Sequence, residues 1–279
     1  MKLNMFDSLS IQASFSFSLI RVIAAELVVI AHGLNLYHVI KHPLFRTIPP
    51  KLGSIGVILF FIISGFLICY STFSRRKNTS FFEFFISRAS RIYSGYVPCL
   101  IFILGMDFFS QKVFPVSWIK YPTLTVGHFF YNLFMLQNYS VLHENSFGFL
   151  FFLMGKETFS TPKGPLWTIS VEWWLYLSFG IFIYYWESIK ALNLKVIFFL
   201  IIVSIVPASN LIGGYGNGLT GVWILSTLMA FFILKGDLFL GKGKSLGFSF
   251  LFLCLSIWRF YNSSWNPYDF QFEVLFFLL

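Results

Sequence analysis

Long apolar stretches alternate with short polar segments along nearly the whole chain. Several of the stretches approach the length of about twenty residues that a helix needs to cross a bilayer. Because lipid offers no hydrogen-bond partners, the backbone of such stretches has to form helices. We therefore predict an all-α fold, a polytopic transmembrane helical bundle with about eight spans. The predicted spans are residues 17–38, 53–73, 92–109, 166–186, 195–212, 219–234 and 246–258, followed by an apolar stretch from residue 270 onward.

Composition favours a membrane protein over a soluble domain. Of the 279 residues, 57% are hydrophobic and 11% are charged, and the mean hydropathy is +0.76. So little charge cannot cover the surface of a soluble domain of this size. The three cysteines lie singly in apolar surroundings, so we expect them to pack as small hydrophobic residues and to form no metal site. We expect one integral-membrane domain over residues 1–279, incomplete at the C-terminus because its last apolar stretch stops about halfway through a span.

The net charge of +9 indicates membrane topology rather than nucleic-acid binding, because the basic residues lie between the predicted spans. Segment 74–91 holds five arginine or lysine residues and one glutamate, so the positive-inside rule predicts that it is cytoplasmic. This orientation puts the N-terminus inside and the start of span 166–186 outside. Residues 110–165 then either cross the membrane twice or form a re-entrant or interfacial element.

The first predicted span carries three ionisable residues, Arg21, Glu26 and His32. Ionisable groups cost about 2.5 kcal/mol or more at membrane depth, so they usually face a partner or a cavity. A helix turns Arg21 and His32 to within about 20° of one face, about 16 Å apart along its axis, whereas Glu26 points elsewhere. His32 is either a base in a polar chamber or a packed histidine that bonds a neighbouring carbonyl.

A second ionisable residue inside a span is Glu172, about 9 Å into the helix that begins near residue 166. If that helix starts outside, Glu172 and His32 lie at similar depths. A carboxylate beside an imidazole orients its tautomer and raises its basicity. Trp167 and Tyr176 flank Glu172 at helical spacing. They either form the wall of a substrate cavity or belong to an interfacial aromatic belt.

The stretch SRASRIY places Arg88 and Arg91 three residues apart near an expected helix start. Residues at this spacing are neighbours on a helix surface, so both guanidinium groups can bind one anionic group. Two arginines suit the phosphates of a nucleotide-containing donor. The alternative is that both are positive-inside residues that bind no ligand.

Five stretches in this order resemble the integral-membrane acyltransferase family 3, the bacterial O-acyltransferases that modify surface polysaccharides, peptidoglycan and related acceptors. They read LIRVIAAELVVIAH, GSIGVILFFIISGFLI, SRASRIY, NLFMLQNY and LWTISVEWWLYL. The resemblance covers residues 18 to about 180. The chain departs from the family pattern at Ser94, where proline is usual, and at Thr168, where serine is usual. It also has fewer predicted helices than family members typically have.

The resemblance implies transfer of an acyl group, usually acetyl, from cytoplasmic acyl-CoA to a hydroxyl of a polysaccharide or lipid-linked glycan. It places the chain in the lipid bilayer of the bacterial inner membrane, with acyl-CoA as a co-substrate and no bound cofactor. A sugar hydroxyl needs a positioned base to attack a thioester, so His32 serves as that base or carries the acyl group itself. By resemblance, the catalytic residues are His32 and Glu172, the donor-binding residues are Arg21, Arg88 and Arg91, and the cavity-lining residues are Ser64, Gly65, Trp167 and Tyr176.

Two alternatives remain open at this point. A polysaccharide polymerase or a lipid-linked sugar flippase is also polytopic and rich in aromatic residues. Such a protein is expected to carry a large external loop or an arginine-lined external cavity, whereas the densest basic cluster here is predicted to be cytoplasmic. The second alternative is a truncated, inactive relative, which the abrupt C-terminal LFFLL raises.

Overall fold

A computed structural model describes residues 11–37, 44–75, 79–113, 126–136, 167–212 and 218–235. These residues are almost entirely helical and contain no strand, which confirms the predicted all-α class. The helices, in chain order, are α1 (Ile11–Tyr37), α2 (Leu44–Arg75), α3 (Phe81–Val113), α4 (Val126–Leu133), α5 (Trp167–Tyr184), α6 (Trp186–Lys190), α7 (Leu194–Ile212) and α8 (Leu219–Lys235).

Most of the predicted spans fall on these helices. Within the described residues, four helices are long and apolar enough to cross a membrane, and α8 contains a shorter apolar segment. Helix α5 lies inside the predicted span 166–186 and is about 27 Å long. The predicted span 246–258 and the apolar stretch from residue 270 lie outside the described residues. The four long apolar segments are Ser14–Leu34, Leu52–Phe73, Phe81–Met106 and Leu194–Leu211.

The start of α3 differs from the prediction. The helix begins at Phe81, whereas the sequence analysis placed the start of this span at residue 92. The cause is a capping box: the Ser80 backbone N–H donates to Glu83 Oε2 at 2.7 Å, and the Glu83 N–H donates to Ser80 Oγ at 3.2 Å. The predicted start is therefore wrong, and Arg88 and Arg91 lie well inside α3 rather than near its first residue.

The chain divides into two compact units. The first unit comprises Met1–Asn78 and Asn210–Leu279, and the second unit comprises Thr79–Ser209. Among the described helices, the first unit contains α1, α2 and α8. The second contains α3 to α6 and most of α7.

In the first unit, α1 and α2 contact each other through small residues. Ala24 and Ala31 are buried in α1. A β-carbon on Gly56 of α2 would lie 2.6 Å from the Ala24 carbonyl oxygen and 2.7 Å from Val28 Cγ2, so this approach requires glycine. In lipid, close van der Waals contact between small residues is a main source of helix association. The backbones of α1 and α2 therefore approach each other closely, with glycine and alanine residues at the contact.

In the second unit, α3 and α5 run antiparallel. Thr79, just before α3, forms a hydrogen bond with Tyr184 at the end of α5, with 2.9 Å between the two hydroxyl oxygens. Tyr93, farther along α3, has its ring centroid 5.2 Å from that of Trp173 near the start of α5. The start of α3 and the end of α5 therefore lie at the same end of this helix pair.

Helix α4 has eight residues and is about 12 Å long, so it cannot cross a bilayer. Side-chain donors from α3 and α5 bind carbonyl oxygens at its C-terminal end, which a helix leaves without intrahelical partners. The prediction of two crossings or a re-entrant element falls largely on residues 114–125 and 137–165, outside the described residues. The donors are Tyr93 OH to the Leu133 oxygen (2.9 Å), Tyr96 OH to that of Asn132 (3.0 Å), and Ser170 Oγ and Trp174 Nε1 to that of Met135 (2.8 Å each).

Candidate active site

Arg21 and His32 lie in the single continuous helix α1. Ala24 is fully buried, and helix geometry puts Arg21 about 60° and His32 about 80° from it, in the same direction around the axis. Both side chains therefore border the contact with α2. Within the described structure the His32 side chain is exposed and the Arg21 side chain is half-buried. Glu26 is exposed on the far side of α1, about 200° from Ala24.

Ser64 and Gly65 lie where α2 contacts α8. The Trp223 indole N–H donates to Ser64 Oγ at 3.2 Å, and a β-carbon on Gly65 would lie 2.5 Å from the Trp223 carbonyl oxygen. One turn along α8, the Ser226 hydroxyl donates to the Ile62 carbonyl oxygen at 2.7 Å. Small and polar residues are typical of such helix contacts in membranes. The predicted role of Ser64 and Gly65 in lining a cavity stays a prediction.

Three predicted site residues form a chain of contacts in the second unit. The Tyr176 hydroxyl donates a hydrogen bond to Glu172 Oε1, one helical turn earlier on α5. The Arg88 guanidinium carbon lies 5.8 Å from the centroid of the Tyr176 ring and 5.6 Å from that of the Phe84 ring. Both distances are within the range of cation–π attraction. Tyr176 therefore links the Glu172 carboxylate to the Arg88 guanidinium.

The two arginines of the SRASRIY stretch have different surroundings. Arg88 is half-buried against α5, whereas Arg91 is exposed within the described structure. Three residues along a helix correspond to a separation of about 60° around its axis. This separation is enough to put Arg88 in the contact with α5 and to leave Arg91 outside it. Trp167 is the first residue of α5 and is half-buried. The structure thus joins Arg88 to the Tyr176–Glu172 pair, and the described contacts of that pair do not include Arg91.

The sequence analysis missed the donors that bind the end of α4. Met135 has a φ of 58°, a left-handed conformation that costs a residue with a side chain about 1–3 kcal/mol. Hydrogen bonds from Ser170 and Trp174 to its carbonyl oxygen help to hold it there. The i,i+4 spacing of Ser170 and Trp174 indicates in the sequence that both side chains lie on one face of a helix. Their acceptor could not be predicted, because it is a backbone carbonyl oxygen and every residue has one.

Helix α5 carries two polar faces. The face with Ser170 and Trp174 binds the end of α4. The face with Glu172 and Tyr176 is turned by about 200° from it. A helix that lies in a membrane with polar groups on two sides has to pack against protein on both, because lipid cannot form hydrogen bonds with these groups. The first ten residues of α5 therefore have two roles: one face binds the end of α4, and the other carries the Glu172 carboxylate.

The described residues contain no group of three or more histidine, cysteine, aspartate and glutamate side chains that could hold a metal ion.

His32 belongs to the first unit and Glu172 to the second. The meeting of this imidazole with this carboxylate stays a prediction.

Comparison with known proteins identifies relatives of the chain. A family described as an acyltransferase domain matches residues 15–279. An O-acetyl transferase of Shigella phage Sf6 is 27% identical over 208 residues, which are 71% of this chain and 52% of that protein. Nodulation protein 10 of Rhizobium leguminosarum bv. viciae is 29% identical over 182 residues, which are 63% of this chain and 46% of that protein. The chain spans about half the length of these curated relatives. No solved structure matches it.

The family match continues past residue 180, where the resemblance of the quoted stretches ends, and it includes α7 and α8. It also includes every predicted site residue. The chain therefore belongs to the acyltransferase domain family, the integral-membrane acyltransferase family 3.

Proposed function

We propose that this chain is a multi-pass O-acyltransferase of the bacterial inner membrane, which moves an acyl group, by default acetyl, from cytoplasmic acyl-CoA to a hydroxyl of a surface glycan. O-antigen and exopolysaccharide are the glycan classes that we expect. The family match and the relative named as an O-acetyl transferase support this reaction class over a polymerase or flippase. The observation that carries the proposal is the Glu172 carboxylate, which accepts a hydrogen bond from Tyr176 on the predominantly apolar helix α5, beside Arg88.

In the proposed reaction, His32 takes the proton from the acceptor hydroxyl as its oxygen attacks the thioester carbonyl carbon. A carbon–oxygen bond forms, the carbon–sulfur bond breaks, and the CoA thiolate leaves and takes up a proton. In the second route, the His32 imidazole attacks the thioester carbonyl carbon, so that a carbon–nitrogen bond replaces the carbon–sulfur bond and the CoA thiolate leaves. The acceptor oxygen then attacks the same carbon, the carbon–nitrogen bond breaks to release the imidazole, and the hydroxyl proton passes to the thiolate. In both routes Glu172 orients the imidazole and stabilises its positive charge.

The donor reaches this site from the cytoplasm. In the second unit, the start of α3 and the end of α5 lie together, and the adjoining segment carries exposed Lys190 and Lys195. The positive-inside rule makes this end cytoplasmic. Arg88 and Arg91 then lie about 10 Å and 15 Å from the first residue of α3, on the donor side. Glu172 lies about 18 Å from the end of α5, in its outer half.

The test uses inverted membrane vesicles that contain the protein, with radiolabelled acetyl-CoA supplied to the exposed cytoplasmic face. We expect base-labile label in the glycan fraction, and a loss of at least about 100-fold in His32→Ala and Glu172→Gln, because the first removes the imidazole that reacts and the second removes the charge that orients and stabilises it. Glu187→Gln is the matched control, because it makes the same change at an exposed glutamate on α6, whose carboxylate forms an ion pair with Lys190. Unchanged transfer in both site variants contradicts the proposed mechanism.

A further inference from the structure

Tyr176 is one of the most deeply buried large side chains in the described part of the chain, with 2% of its surface exposed. Its hydroxyl donates to Glu172 Oε1, and the ring faces the Arg88 guanidinium. A hydrogen bond to an ionised carboxylate is stronger than one between neutral groups, and it fixes the direction of the acceptor oxygen. Tyr176 thus restricts both a carboxylate on its own helix and a cation on the facing helix.

Arg88 is held between two aromatic rings, that of Phe84 one turn earlier on α3 and that of Tyr176 on α5. This position directs its guanidinium into the contact between the two helices. Arg91 lies one turn farther along α3 and is exposed. Two arginines that look equivalent in the sequence therefore have different environments, one facing protein and the other facing outward.

We propose that Tyr176 is a positioning residue for acyl transfer, which orients Glu172 and holds Arg88, and that Arg91 is the arginine of the pair that binds the donor. The inference rests on the function proposed above and deepens it. Arg88 then acts inside the protein through Tyr176, whereas the phosphate groups of acyl-CoA meet Arg91. Changes at Tyr176 or Arg88 should lower kcat, because a misplaced carboxylate slows the reaction. A change at Arg91 should raise the KM for the donor, because a lost phosphate contact weakens donor binding.

Tyr176→Phe removes the hydroxyl and keeps the ring beside Arg88. In the vesicle assay, normalised to the amount of protein in the membrane, we expect this variant to lower kcat by about 10- to 100-fold, the range for a hydrogen bond to a charged group. The KM for acetyl-CoA should stay within about twofold of the original value. Arg88→Gln should likewise lower kcat, whereas Arg91→Gln should raise the KM for acetyl-CoA by about tenfold with a smaller effect on kcat.

Tyr184→Phe is the matched control, because it removes a tyrosine hydroxyl from the same helix, where that hydroxyl bonds Thr79. We expect its kcat and KM to be unchanged. An equal loss in Tyr176→Phe and Tyr184→Phe would show that any lost hydroxyl weakens α5, and the positioning role would be wrong. A raised KM with unchanged kcat in Tyr176→Phe would make Tyr176 a donor contact and would also overturn the inference.

A second measurement tests whether Tyr176 acts through Glu172. Glu172→Asp shortens the side chain and withdraws the carboxylate from the hydroxyl. In that background Tyr176→Phe should lower kcat by less than about threefold, because residues that act as a unit are not additive. The same factor in both backgrounds would separate the hydroxyl from Glu172 and refute the inference. Absence of any label transfer by the unmodified protein would instead overturn the proposed function, and the positioning role with it.

Discussion

The two units make their helix contacts in different ways. In the first unit, glycine and alanine let α1 and α8 approach the backbone of α2, and the polar groups there bond across helix contacts. In the second unit, aromatic rings fill the contact between α3 and α5, and their polar atoms bind the end of α4 and a carboxylate. The first arrangement fixes the distance between helices. The second fixes the position of particular acceptor atoms.

This difference shows why residue type alone does not reveal the role of a polar group in a membrane span. Ser64 of α2 accepts a hydrogen bond from an indole on a neighbouring helix, which joins two helices. Ser170 of α5 donates to the carbonyl oxygen of the left-handed residue Met135, which binds α5 to the backbone just after the end of α4. Both serines are buried, and both lie in stretches that resemble the same family. Their partners, rather than their chemistry, set them apart.

The largest expected effect comes from a methyl group in the glycine contact of the first unit. In Gly56→Ala the new β-carbon would lie 2.6 Å from the Ala24 carbonyl oxygen, and a backbone atom cannot move away as a side chain can. We expect a loss of about 2–3 kcal/mol in the free energy of unfolding, measured by thermal unfolding in detergent. Gly95→Ala is the control, because no atom of the described residues, apart from its own helix backbone and chain neighbours, lies within 4 Å of its β-carbon position. Equal stability of the two variants would mean that α1 and α2 do not approach so closely.

The next effect is expected at the end of α4. Tyr96→Phe removes a hydroxyl that donates to the Asn132 carbonyl oxygen at 3.0 Å, and this buried oxygen then keeps the Met135 backbone N–H, at 2.9 Å, as a donor. We expect a loss of about 1–1.5 kcal/mol, the upper range for one hydrogen bond, together with faster hydrogen exchange of the α4 amides. Tyr70→Phe on α2 of the first unit should leave α4 exchange unchanged. Slow α4 exchange in Tyr96→Phe would show that its other donors suffice, and the contrast between the two units would weaken.

Hydropathy predicted most of the long helices, because a helix that crosses lipid needs about twenty mostly apolar residues. Such a run of apolar residues is visible in the sequence itself. The start of α3 was placed too late because the charges of Arg88 and Arg91 assigned them to the cytoplasmic segment 74–91, before the predicted span. The capping box formed by Ser80 and Glu83 is a local signal in the sequence, and it correctly marks the helix start. Charge marks the side of a membrane, but it does not mark where a helix begins.

The internal arrangement of the candidate site was only partly predictable. The i,i+4 spacing places Glu172 and Tyr176 on one face of α5, and the structure adds a hydrogen bond between them. The different surroundings of Arg88 and Arg91 depend on which face of α3 meets α5, and no pattern within α3 contains that information. The proposed meeting of His32 with Glu172 depends on contacts between residues far apart in the chain, which periodicity within one helix does not specify.

A smaller effect is expected for Ser64→Ala, and it distinguishes two roles of Ser64: joining α2 to α8, or lining a substrate cavity. In Ser64→Ala the buried contact between the Trp223 indole N–H and Ser64 Oγ is lost, which should cost about 0.5–1 kcal/mol in the free energy of unfolding. If Ser64 serves the α2–α8 contact, the losses of Ser64→Ala and Trp223→Phe should not add in the double variant, because each single change already removes the same hydrogen bond. The KM for acetyl-CoA should stay unchanged throughout. A changed KM without a change in unfolding would support the cavity-lining role instead.

The smallest effect is expected at the ion pair of α6, where Lys190 Nζ lies 3.0 Å from Glu187 Oε1 and both side chains are largely exposed. Water and salt screen such pairs, so Glu187→Gln should change the free energy of unfolding by less than about 0.5 kcal/mol. The same thermal unfolding at low and high salt measures it, and any difference should shrink as salt rises. A larger loss that salt does not reduce would mean that Glu187 is shielded from solvent in the membrane. The turn between α5 and α7 would then not lie at the aqueous cytoplasmic surface, and the donor side inferred from Lys190 and Lys195 would have to be reversed.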